Sequence, residues 1–169
     1  MKFYSTLLVL FLLIYVIINT WWLTMDKELK WSIILDNYQN PSNRKRKDDN
    51  DDYIKLNSRN VSCIDNIDLY IKLNNNIIED ITFEGEACVI SISSTSIMTN
   101  LLIGKSIDEA INIIKNFDNM IEEKEYNKDL LEEAIVYDDV SKQPSRKKCA
   151  TLSWHGLYEK LISIKNNNL

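Results

Sequence analysis

Between Ile67 and Leu73 the chain alternates. Ile67, Leu69, Ile71 and Leu73 fall on one side, and Asp68, Tyr70 and Lys72 on the other. A period of two predicts a strand with one buried face, because successive side chains leave on opposite faces. Asn74-Asn75-Asn76 follows as a turn and residues 77–83 return as a second strand, so the segment predicts an antiparallel hairpin. Residues 53–56 can add a third strand.

Beyond the hairpin the period lengthens. Residues 85–94 are expected to bend into a helix and to carry Cys88, residues 93–103 to be helical, and Gly104 to end that helix. Ser106 and Glu109 form a capping box. Behind it Ile107, Ala110, Ile111, Ile114, Phe117 and Ile121 make one stripe at helical spacing. Upstream, residues 26–38 predict a helix with Leu29, Ile33 and Ile34 on one side, stopped by Asn40-Pro41-Ser42-Asn43. The acidic stretch 122–133 has room for a short exposed helix. Pro144 is expected to break the chain, and a last helix to run from about 149 to 164 with Leu157, Tyr158 and Leu161 toward the core. Strands first and helices afterwards predict an α+β fold: a small antiparallel three-stranded sheet packed by helices.

The N-terminus stands apart. Residues 3–24 carry no charge, and a bilayer span takes about 20 apolar residues. Two readings follow. Residues 1–24 are a membrane anchor with Trp21 and Trp22 at one interface, or translation begins at Met25, where a soluble amphipathic helix opens. The first places residues 25–169, a single domain, in a reducing compartment on a membrane; the second makes the protein cytoplasmic.

Charge narrows the partners. The net charge is −5, which argues against nucleic acid. The basic run 44–47 meets the acidic run 48–52, so their fields cancel within a Debye length and the stretch reads as a solvated loop. The chain has three cysteines, and an odd count favours a reducing compartment over a disulfide framework.

Those cysteines are the candidate chemistry. Cys63 and Asp65 are two apart, so in an extended segment they share a face. Cys88 lies beyond the hairpin and can return beside them. Cys149, at the expected start of the last helix, would be favoured as thiolate by the helix dipole. Three thiolates and one carboxylate make a tetrahedral zinc site or can hold iron–sulfur species. The alternative is three buried structural cysteines.

Three stretches decide between these. Ile81-Thr82-Phe83-Glu84-Gly85-Glu86-Ala87-Cys88-Val89-Ile90-Ser91, then Ile97-Met98-Thr99 with Gly104-Lys105, then Ser145-Arg146-Lys147-Lys148-Cys149-Ala150-Thr151-Leu152-Ser153-Trp154 occur in order. With Trp31 to Pro41 before them, they resemble the U-type iron–sulfur assembly proteins, in particular the SufU branch, over about residues 26–165. Lys148 stands where the related IscU scaffolds carry histidine, and residues 122–136 resemble the SufU insertion. Three positions depart from the family pattern: Ile64 and Ala87 replace glycines, and Ser42 replaces a common arginine.

The resemblance implies a Zn²⁺ site of Cys63, Asp65, Cys88 and Cys149. It implies that Cys63 accepts a persulfide sulfur from a pyridoxal-phosphate cysteine desulfurase, a partner histidine taking over its place on zinc. Arg146 would contact that partner or orient the site. Downstream cluster-assembly or sulfur-accepting proteins would follow. The alternative is a scaffold holding a transient iron–sulfur cluster for apoproteins. His155, the single histidine, has no catalytic part in this pattern.

Overall fold

A computed structural model describes residues 27–45, 52–60 and 63–167. The 1–24 segment and most of the 44–52 charge run lie outside these residues. Among the described residues no helix is long and apolar enough to cross a membrane.

Helix α1 (Lys27–Gln39) leads to strands β1 (Ile54–Arg59), β2 (Asn66–Asn74) and β3 (Ile77–Glu86). They form one antiparallel sheet in the order β1-β2-β3. The β2–β3 hairpin closes on Asn75 and Asn76, with φ of 49° and 63°. Two successive left-handed residues match the right-handed twist of a hairpin, and asparagine tolerates them. The turn is anchored from outside: the Ile107 N–H donates to the Asn76 carbonyl at 2.9 Å, and the Gly104 N–H to that of Ile78 at 2.8 Å.

Helices α2 (Val89–Leu102) and α3 (Ile107–Ile121) follow, then two 3-10 segments, Lys128–Leu130 and Glu132–Lys142, and finally α4 (Pro144–Asn167). The Ser106/Glu109 capping box is present at α3. Ile67, Leu69 and Ile71 of β2 and Ile78, Ile81 and Phe83 of β3 bury their side chains beneath α2 and α4. Phe117 and Trp154 stack with ring centroids 4.0 Å apart, joining α3 to α4. Each such side chain contributes roughly 2–3 kcal/mol of burial.

Helix α2 is buried all round although serine and threonine fill much of it. Each hydroxyl finds a partner. Ser94 donates to the Ala150 carbonyl at 2.6 Å, Ser96 to Asn37 Oδ1 at 2.8 Å, and Thr95 bonds Ser153 at 2.6 Å. Polar groups at the centre of a core are tolerable only when satisfied in this way.

Three expectations need correction. Helix α2 begins at Val89, not 93, because β3 runs on to Glu86 and leaves only two residues between them. Leu29 is 52% exposed; of the expected face Ile33 and Ile34 do pack on the core, joined by Asn37. The acidic stretch 122–133 holds a short exposed 3-10 helix, Lys128–Leu130, as expected; beyond it Ala134, Val136, Tyr137 and Val140 are buried, and Tyr137 meets Phe117 edge-on at 6.1 Å. Pro144 does not break the chain before the last helix but opens that helix. A first-turn N–H has no helical acceptor, so proline costs nothing there.

Candidate functional site

Cys63 and Asp65 lie on the β1–β2 connection. The Asn60 N–H donates to the Asp65 carbonyl at 3.0 Å, and the Cys63 N–H to the Asn60 carbonyl at 3.1 Å. On this hydrogen-bonded connection Cys63 is exposed while Asp65 is fully buried.

Strand β3 delivers Cys88. Gly85 pairs with Ile67 at φ +131°, and a Cβ there would stand 2.1 Å from the Asn66 carbonyl oxygen. Only glycine lets the strands approach at this point. Three residues on, Cys88 is the N-cap of α2, and its N–H donates to Asp65 Oδ1 at 2.8 Å.

The helix-start thiol is therefore Cys88, not Cys149. Because α4 begins at Pro144, Cys149 sits in its second turn, 4% exposed. Burial, then the neighbouring Cys88 and Asp65, push its thiol up to about 12. That reverses the expected dipole effect: removal from water disfavours the anion, and the dipole acts only near the terminus.

The structure brings Cys63, Asp65 and Cys149 together, with one ligand atom of each within 4.8 Å of the others. Cys88 stands beside this trio, against Cys149 and with its Sγ 3.5 Å from Ser91 Oγ. Burial alone would raise the Asp65 carboxyl. The Cys88 N–H, the Ser91 hydroxyl at 2.8 Å and the Cys149 and Cys63 thiols outweigh it and hold the carboxyl below its usual range. Ser91 was not singled out in the sequence; a serine three residues after Cys88, in the first turn of the helix, was the available signal.

Soft thiols around one buried carboxylate suit a thiophilic divalent ion such as zinc. Histidine is absent from the set. His155 is exposed on α4, and its ring nitrogen lies 2.9 Å from Asp118, which raises its pKa.

Arg146 is exposed and borders a groove of about 800 Å³ together with Cys88, Trp31, Ile34 and Tyr38. Lys148 is also exposed. Ile64 is 74% exposed and is not among the residues of positive φ, so a β-branched side chain replaces glycine there without strain.

Comparison with known proteins agrees with this architecture. The profile of the NifU-like N-terminal domain matches residues 30–150. The chain is 39% identical over 137 residues to the zinc-dependent sulfurtransferase SufU of Bacillus subtilis, covering 80% of this chain and 91% of that one. It is 34% identical over 106 residues to the iron–sulfur cluster assembly scaffold protein IscU of Thermotoga maritima, covering 63% and 75%. A crystal structure from Fervidobacterium islandicum, described as an iron–sulfur cluster assembly scaffold for the SUF system, superposes with a TM-score of 0.68 at 33% identity, covering 74% and 90%.

Proposed function

Because this chain belongs to the NifU-like N-terminal domain family, we propose that it serves iron–sulfur cluster assembly as a zinc-dependent sulfur acceptor. The donor is a pyridoxal-phosphate cysteine desulfurase carrying a persulfide. One observation carries the assignment of roles: of three thiols converging on a buried carboxylate, Cys63 is exposed and Cys149 is buried.

Cys63, Asp65, Cys88 and Cys149 would hold the zinc, which supplies charge that keeps thiols as thiolates. The Cys63 thiolate attacks the outer sulfur of the donor persulfide. The donor sulfur–sulfur bond breaks as the new one forms, and the donor cysteine leaves as thiolate. Cys63 then carries one extra sulfur as a persulfide, with no net oxidation or reduction of the pair. Thiolate fraction and access govern such exchange, and access belongs to Cys63. Asp65 stays fixed between its donors throughout. Arg146, on the groove beside Cys88, would meet the donor protein. Free thiols suit a reducing compartment.

The second reading, a scaffold, is favoured by the likeness to IscU: the same thiols could hold an iron–sulfur cluster as cargo. Metal analysis of anaerobically purified full-length protein separates the two. The sulfur-acceptor reading expects about one zinc per chain, the stoichiometry of a four-ligand site, and no iron. Iron with matching acid-labile sulfide, lost in Cys63→Ala, would establish the scaffold instead.

A further inference from the structure

We propose that Ser91 is a positioning residue for the metal site, locking the Asp65 carboxylate with its free lone pairs toward the Cys63 and Cys149 thiols. The inference rests on the zinc reading above.

Asp65 is fully buried, so protein donors set its orientation. A carboxylate offers about four acceptor positions. Two are taken by fixed donors on one element: the Cys88 N–H on Oδ1 at 2.8 Å and the Ser91 hydroxyl on Oδ2 at 2.8 Å. Two donors on two oxygens fix the plane of the group, and the thiols lie where the remaining lone pairs can reach.

Ser91 is the α2 hydroxyl that donates into the site, whereas Ser94 and Ser96 donate to α4 and α1. Ser93, Thr95 and Thr99 bond carbonyls of their own helix, at 2.7, 2.7 and 2.8 Å. Such back-bonding is the usual fate of a hydroxyl inside a helix. Ser91 lies in the first turn and donates out of the helix. It is 1% exposed and stands between two members of the site, Asp65 Oδ2 and Cys88 Sγ at 3.5 Å. With alanine there, Oδ2 loses a charge-assisted partner in a place water does not reach, and the carboxylate is free to turn about its last torsion.

Zinc affinity is measured by chelator competition on full-length wild type, Ser91→Ala, Ser91→Thr and Ser93→Ala, with Zn²⁺ alone as the probe. Ser93 is equally buried on the same helix but bonds Tyr137, away from Asp65. Loss of an outer-shell partner commonly weakens metal binding about 10–100-fold. That loss is expected for Ser91→Ala, with recovery in Ser91→Thr and wild-type affinity in Ser93→Ala whatever its melting temperature. Equal affinity in Ser91→Ala and wild type would overturn the role of Ser91 and leave the zinc site standing. An equal loss in Ser93→Ala would reduce the effect to helix packing and overturn it too. A wild type that binds no zinc would remove the site and this role together.

Discussion

The β1–β2 connection and helix α4 bring cysteines to the same buried carboxylate and treat them in opposite ways. The connection, tied by the Asn60–Asp65 and Cys63–Asn60 backbone bonds, leaves Cys63 exposed. Helix α4 is part of the core, stacked through Trp154 on Phe117, and it holds Cys149 at 4% exposure with its thiol pushed up to about 12. An accessible sulfur can attack and a buried one can only hold. In the proposed mechanism the division of labour is one between the β1–β2 connection and a core helix.

Removing the accessible sulfur should break the chemistry and spare the fold. Cys63→Ser is expected to abolish sulfur acceptance, read as one added sulfur by intact-mass spectrometry, while the thermal unfolding midpoint stays at the wild-type value. A variant that still accepts sulfur on another cysteine would erase the contrast.

The complementary change strikes the core. Trp154→Ala empties a fully buried site and should cost about 3–5 kcal/mol in denaturant unfolding. Exposure of Cys149 to alkylation should rise with it, while Cys63 labelling stays near wild type. Gly85→Ala tests the joint between the two regions. Positive φ and a 2.1 Å approach to the Asn66 carbonyl predict a loss of about 1–3 kcal/mol and, because Cys88 follows three residues on at the N-cap of α2, weaker zinc binding. A loss below about 0.5 kcal/mol, the level of an ordinary surface change, would show that β3 can shift at no cost.

The metal-free protein should separate the thiols by pH. The Cys149 thiol is raised in the folded state from 9.0 to about 12. Its stabilising contribution is therefore complete below the unfolded value and is lost as pH rises through the folded one. Unfolding midpoints should fall from pH 9 upward, and replacement of Cys149 by alanine should flatten that part of the profile. An unchanged slope in that variant would assign the alkaline loss to other groups.

Much of the scaffold was legible because it is written locally. The alternation from Ile67 to Leu73, the asparagine turn and the Ser106/Glu109 box each specify an element within a few residues, and each is present. What failed depends on distant partners. The acidic composition around Glu132 and Glu133 hid Val136, Tyr137 and Val140, whose burial needs a core that Phe117 and Ser93 help to build. Pro144 was legible as punctuation but not as the opening of a helix, and that error moved the helix-start thiol from Cys88 to Cys149. The convergence of Cys63, Asp65 and Cys149 could be expected from resemblance but not from spacing, because a hairpin, two α-helices and two 3-10 segments separate the first from the last.

The smallest change concerns the connection itself. Ile64 points into solvent, so Ile64→Gly should alter stability by about 0.5 kcal/mol or less and leave sulfur acceptance within twofold. A larger gain in acceptance would show that the side chain obstructs Cys63.

The most direct test is to locate the sulfur. The full-length protein is incubated with a cysteine desulfurase and cysteine under anaerobic conditions, trapped with an alkylating agent and mapped by peptide mass spectrometry. One persulfide on Cys63, with Cys88 and Cys149 unmodified, is the result predicted here. Sulfur on Cys88 or Cys149 before Cys63, or on no cysteine at all, would contradict the account.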